Sequence, residues 1–273
     1  VYRRAFGSWS LGQVANADSA TKTLSGALIM SLVDSSPQPF SLDTRLSQYI
    51  PQFSGSKSTI TIRQCFAHTA GFGQSAAVGS ATLTLQQAAQ QIAAGPLPFG
   101  PPGTIFSYGG TSMHAAGAVA ELAGGAPWNT LYQQRLAGPL GLVSTRYVLT
   151  TPSNPRIAGG AESTALEFGR FMETLRREGV TPSGVRILSP NAVRAMFTRQ
   201  TPVGIPVNSS PLNGSSDYGV GVWLDQRDGA GNLVGALAAG ARGFSSWIDF
   251  DDGMVGVFST DLTSSGNILP LGY

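Results

Sequence analysis

The strongest constraint on how this 273-residue chain folds is a change of period near residue 217. Before it, apolar residues recur every three to four positions, in stretches near 20–33, 43–49, 61–68, 84–94, 111–123, 128–136, 163–178 and 190–198. Pro/Gly runs such as Gly95-Pro96-Leu97-Pro98 and Gly100-Pro101-Pro102-Gly103 separate these helical stretches. After it, residues 218–225, 233–239, 245–250 and 254–261 form short apolar or alternating runs. The turns between them carry Asp228-Gly229 and Asp252-Gly253, which suit hairpins. Residues 1–6 (VYRRAF) also resemble a strand. The pattern predicts an α+β fold in which the N-terminal strand joins the C-terminal meander in one antiparallel sheet, flanked by helices and by an all-helical lobe. We read one domain: a helical lobe over about 40–198, and an α/β lobe from 1–39 plus 199–273.

Where the first helix begins, the run Asp18-Ser19-Ala20-Thr21-Lys22 places a lysine three positions after a serine. At i and i+3 the two side chains share one helix face. A serine hydroxyl becomes a useful nucleophile when a base takes its proton, and a lysine amine serves if desolvation keeps part of it neutral. Asp18 reads as an N-cap, which places the Ser19 N–H at the positive helix end, where an oxyanion would be stabilised. The chain has two lysines, and the second, Lys57, also follows a serine by three, Ser54. That match lies in a Gly/Ser-rich stretch without helical spacing, so Lys57 is read as a solvated charge. A proton relay completes such a site, and Tyr108 offers a phenol in a Gly-rich turn ahead of the helix near 111. Packing against that helix is the other reading of Tyr108, and composition alone favours packing.

Composition excludes several alternatives. The net charge is +2 with no basic run, so nothing points to nucleic acid. No stretch reaches the ~18–20 uninterrupted apolar residues of a membrane span. The single cysteine, Cys65, lies among apolar neighbours and reads as a small buried residue. The two histidines, His68 and His114, have no carboxylate at metal-ligand spacing and are read as structural or pocket-lining. No Gly-x-Ser-x-Gly elbow, dinucleotide fingerprint or P-loop is present. The composition leaves the compartment open.

Five segments in order carry a resemblance: Ser19–Lys22, the 62–71 run (IRQCFAHTAG), the 102–108 run (PGTIFSY), the 159–164 run (GGAEST) and the 218–223 run (YGVGVW). Together they are similar to the class C β-lactamase-related serine hydrolases, which include penicillin-binding-protein-like D-aminopeptidases and family VIII carboxylesterases. The resemblance implies the β-lactamase/transpeptidase-like fold, a small-molecule ester or amide substrate and no cofactor. It makes Ser19 the acylated nucleophile, Lys22 its base and Tyr108 the tyrosine of a Tyr-x-Asn motif. It aligns the family's Lys/His-x-Gly motif with Ala241-Arg242-Gly243, and makes the N–H groups of Ser19 and Phe244 the oxyanion donors. Two departures follow: Gly110 stands where the motif has asparagine, and Ala241 where it has a cation or histidine. Both positions would hold substrate in β-lactam-processing relatives, so an esterase is the expectation, with Arg242 able to bind a carboxylate if it turns inward. A β-lactamase or D-aminopeptidase is the alternative on the same fold, and an inactive binding protein the alternative of another class. Relatives also carry further elements before residues 1–6 and a long helix after the last strand. The expectation is therefore an exposed sheet face: either the chain is a fragment or processed product, or a second copy or a partner chain covers that face.

Overall fold

The computed structural model describes residues 1–261. The chain enters with β1 (Val14–Asn16) and α1 (Thr21–Asp34), then α2 (Ile62–Phe66), α3 (Leu85–Ala94), β2 (Phe106–Ser107) and α4 (Thr111–Gly124). It continues through α5 (Trp128–Tyr132), α6 (Gly138–Leu140), β3 (Arg146–Tyr147), β4 (Thr150–Thr151), β5 (Asn154–Pro155) and β6 (Ala161–Thr164). The last part holds α7 (Ala165–Arg176), α8 (Pro190–Met196), β7 (Val207–Ser209), β8 (Trp223–Arg227), β9 (Leu233–Ala239), β10 (Ser245–Asp249) and β11 (Met254–Phe258). The fold is α+β, with an antiparallel sheet in the order β11-β10-β9-β8 and a smaller one in the order β1-β6-β3.

Helix α1 is buried on every side from Thr21 through Leu32, as expected of a helix whose apolar residues do not keep to one stripe. Burial obliges its polar side chains to find partners, and each does so in a distant segment or its own backbone. Thr21 Oγ1 accepts from the Ala161 N–H at 3.1 Å, and Thr23 Oγ1 donates to Gly221 O at 2.9 Å. Ser25 Oγ donates to Ile157 O at 2.5 Å and meets the Tyr147 hydroxyl at 2.6 Å, while Ser31 Oγ donates to Leu28 O at 2.7 Å. The helix is thereby stitched to β6, to the 157–161 turn and to the segment ahead of β8.

Residues 1–6 are not a strand: Val1, Tyr2 and Phe6 are exposed, and no described strand pairs with them. A strand without a ladder is not stable alone. The first strand is β1, which pairs antiparallel with β6 (Ala15 opposite Ser163) and lies outside the four-stranded sheet, so the expected merger of N- and C-terminal strands does not occur among the described residues. Strand β8 also starts at Trp223 rather than 218. The intervening Gly221 has φ +76°, and a Cβ there would lie 2.2 Å from Lys22 O. The 218–222 backbone thus lies on α1 instead of in a ladder. Helix α7 packs on β10 and β11, with Phe168 edge-on to Phe244 at 5.0 Å, so 165–176 goes with the sheet rather than with the helices before it. Met254 and Phe258 of β11 are exposed. The expectation about residues after 261 lies outside the described residues.

Two glycine substitutions separate helix propensity from packing. Exchanging an interior helical Gly for Ala gains about 0.5–1 kcal/mol where space allows. At Gly169 the added methyl would meet only Val257 Cγ2 at 3.5 Å, whereas at Gly26 it would lie 2.3 Å from Val220 O. Gly169→Ala should therefore raise the urea midpoint, and Gly26→Ala should lower stability by about 1–3 kcal/mol. Equal shifts in the two variants would refute the close approach of 218–222 to α1.

Candidate active site

Ser19 lies in a single 3-10 turn, Asp18–Ala20, that runs straight into α1. One turn on, Lys22 is buried, and its Nζ reaches Ser19 Oγ at 3.0 Å and Ala158 O at 2.8 Å. Both contacts are to oxygen acceptors, and no ion pair involves Lys22 among the described residues. Asp18 is not the cap expected for it: Ala17 and Ala20 hold the cap positions, and neither makes a side-chain cap bond. Asp18 instead takes φ +45° and accepts two 2.9 Å bonds from Arg242. A left-handed residue costs roughly 1–2 kcal/mol, least for Asp and Asn. The bidentate pair holds that bend, which presents Ser19 at the mouth of the helix.

Tyr108 follows β2, where its N–H donates to Ser209 O at 3.1 Å. Its ring stacks on Trp223 (5.4 Å, 20°), and Lys22 Nζ lies over its face, 4.6 Å from the centroid. No hydrogen bond joins the phenol to Ser19 or Lys22 among the described contacts. Ser19, Lys22 and Tyr108 line one open cavity of about 330 Å³, together with Gly110 and Ala241. Chemically this is a hydroxyl beside an amine at a helix start, with a phenol on the wall and room for a small acyl group.

The sequence matches the beta-lactamase family over residues 1–267. This chain belongs to the beta-lactamase family. Members of the family are serine hydrolases. The "putative beta-lactamase" of Bacteroides dorei DSM 17855 is 27% identical, with a TM-score of 0.85 over 96% of this chain and 82% of that one. A family VIII carboxylesterase is 16% identical, with a TM-score of 0.74 over 95% of this chain and 80% of the other. A D-stereospecific amidohydrolase from Streptomyces sp. is 20% identical, with a TM-score of 0.66 over 92% and 83%. The last two likenesses carry the fold alone. No curated protein matches the sequence.

Within this beta-lactamase-family fold, the 241–244 segment is the turn between β9 and β10, not a strand. Ala241 lines the cavity; Arg242, Gly243 and Phe244 are not among its lining residues. Arg242 does not turn inward to the cavity: it pairs with Asp18 and reaches Asp261 at 3.4 Å. The Phe244 side chain is fully buried, and its carbonyl accepts from the Gly240 N–H at 2.7 Å. The glycine pressed closest to the Ser19 turn is Gly240, where a Cβ would lie 2.3 Å from Ala17 O. Lys57 is tied down rather than solvated: its Nζ donates to Ala93 O at the end of α3, at 2.8 Å. Cys65 is wholly buried, and burial pushes its thiol far above the usual range.

Sequence reasoning passed over several contributors. Ala158 acts through its carbonyl, a group every residue has. Val78 and Arg156 join the cavity wall from segments that no motif marks, and Gly159 from the start of the 159–164 run, to which no site role was given. His68 backs the site: its ring lies 4.4 Å from that of Tyr108 and 4.8 Å from that of Tyr218. The Gly109 N–H donates to its Nδ1 at 3.4 Å, while its Nε2 has no partner among the described residues. Burial first, and the Lys22 charge second, hold the His68 pKa well below its usual value. His114 is enclosed as well, with Nε2 at 2.8 Å from Asn154 Oδ1. Asn154 Nδ2 donates in turn to Ala77 O at 3.0 Å and Ser80 O at 2.9 Å, which pins the turn carrying Val78.

Burial lowers the His114 pKa from 6.5 to about 4, the Asn154 bond opposing and the Arg156 charge assisting. Below pH 6.5 the unfolded chain takes up a proton that the folded chain refuses until about pH 4. The stability present above pH 6.5 should thus fall across this window, by roughly 3 kcal/mol for a shift of this size. His68 acts in the same direction. Denaturant titrations at pH 7 and 4.5 should show the loss, and His114→Gln should remove part of it. Superimposable curves at the two pH values would count against a buried neutral imidazole.

Proposed function

We propose that the chain is a serine esterase working through an acyl-enzyme on Ser19. The observation that carries this reading is the 3.0 Å contact between Lys22 Nζ and Ser19 Oγ at the start of α1, open to a cavity. Ser19 Oγ attacks the ester carbonyl carbon while its proton passes to Lys22 Nζ. The carbonyl oxygen becomes an oxyanion, met by the Ser19 N–H and by a second backbone donor. We place that second donor at Ala241, since it lines the cavity and Phe244 does not. Each such donor contributes about 3 kcal/mol to the transition state. The alkoxide departs with a proton relayed through Tyr108, and water then attacks the acyl carbon, releasing the acid and restoring Ser19. Ala158 O holds Lys22 Nζ on the serine throughout.

A fluorophosphonate reagent should label Ser19 alone, as read by peptide mass spectrometry. Ser19→Ala should abolish both label and hydrolysis of 4-nitrophenyl butyrate. Lys22→Arg should be inactive, because a guanidinium does not act as a base near neutral pH. Tyr108→Phe should lower kcat by about 100-fold or more with little change in melting temperature. Label that persists in Ser19→Ala would remove the nucleophile, and a fully active Tyr108→Phe would return that residue to packing.

Ester over β-lactam is the second part of the reading. Gly110 and Ala241 line the cavity without offering a polar side chain. Losing one hydrogen bond to an ionised group costs ~1.5–3 kcal/mol, so two such losses cost at least about 100-fold in discrimination. kcat/KM for 4-nitrophenyl butyrate should exceed that for nitrocefin by this factor. Equal values would make β-lactam or amide hydrolysis the better description.

A further inference from the structure

The cavity wall holds one charged side chain for which the proposed chemistry has no use, that of Arg156. Its backbone is anchored: its N–H donates to Leu149 O at 2.6 Å, and its carbonyl accepts from Gly159 at 3.2 Å and Gly160 at 2.8 Å. Two residues on, Ala158 O receives the Lys22 amine, and one residue on, Ile157 O receives Ser25 of α1. Two residues back, Asn154 is buried and fixed by His114 and the 77–80 turn. A segment this constrained delivers an exposed guanidinium that makes no hydrogen bond or ion pair with any described residue.

The charges around it leave that cation uncompensated. The other titratable groups lining the cavity are Asp18, Lys22 and Tyr108. Asp18 is occupied by Arg242 through two 2.9 Å bonds, and Lys22 is committed to Ser19 and Ala158. The cavity therefore presents positive charge beside the nucleophile, with a planar five-donor group suited to a carboxylate. Gly110 and Ala241 supply no such group, and Arg156 belongs to a different segment from either.

We infer that Arg156 is a substrate-recognition residue and that the natural substrate carries a carboxylate, held by this guanidinium while its ester or amide carbonyl meets Ser19. The inference rests on the hydrolase reading for the role of Ser19, but its test needs no turnover. In the Ser19→Ala protein, equilibrium affinities are measured for glutaric acid monoanilide and its methyl ester, which place the charge on the acyl end. N-butyryl-4-aminobenzoic acid and its methyl ester place it on the leaving end. One acid of the two should bind about 10-fold or more tightly than its methyl ester, and the ratio should shrink as ionic strength rises. Adding Arg156→Ala should bring that ratio to about one, Arg156→Lys should retain part of it, and Arg156→Glu should invert it. At pH 7, where His114 is neutral, all three variants should melt like the parent, since the guanidinium makes no hydrogen bond or ion pair with the described residues.

The two pairs identify which end carries the charge, and a preference in either supports the inference. No preference in either pair, or a preference untouched by Arg156→Ala, would show the guanidinium to be a solvated surface charge. Failure of fluorophosphonate labelling would strike the Ser19 chemistry instead and would leave these binding ratios readable.

Discussion

The interaction on which the site depends is the enclosure of the Lys22 amine. A buried amine must be met by acceptors, and here they are the Ser19 hydroxyl one turn earlier and the carbonyl of Ala158, 136 residues on. Neither suffices alone. The local contact follows from helical geometry, but the second requires the 156–160 turn to reach the same point in space. Bringing it there also brings Arg156 and Gly159 to the cavity and completes the β1–β6 pairing beside it.

Helix α1 acts as the post around which this assembly is built. Its buried threonines and serines bind the backbone of β6, the 157–161 turn and the 218–222 segment, and each bond removes a polar group that would otherwise be stranded. Close approach does the rest. Gly26 and Gly221 face one another's backbones because a Cβ at either would strike a carbonyl. The Tyr-Gly-Val-Gly-Val run is thus a surface shaped to lie on the helix, and only after it can β8 begin.

Behind the cavity, His68, Tyr108, Tyr218 and Trp223 form an aromatic block with ring separations of 4.4 to 6.2 Å. The Tyr108 ring is held by stacking on Trp223 and by the Lys22 amine over its face. Packing and the proposed proton relay are therefore not competing descriptions of this residue; the packing sets where the hydroxyl stands. The buried imidazole of His68, kept neutral, adds polarity to the block without adding a positive charge.

The sequence by itself determined the pieces that arise from local physics. Ser19 and Lys22 meet because residues three apart share a helix face. The 233–239 strand appears where alternation and the Asp228-Gly229 turn place it, and the helices at 85–94 and 111–124 follow from their spacing and punctuation. Tertiary structure alone decided what depends on distant backbone. It paired β1 with β6 rather than with the last sheet, and the Ala17 N–H and Thr21 Oγ1 that follow β1 both bond Ala161 of β6. It moved the opening of β8 to Trp223, because Gly221 is pressed onto α1 and Gly219 onto Met196 of α8. It turned Asp18 from a cap into an ion pair with Arg242, 224 residues away, and so took Arg242 from the substrate. It also chose Ala158 and Arg156 for the site. A carbonyl carries no residue signature, and an arginine becomes a recognition group only when the fold leaves it unpaired on a cavity wall.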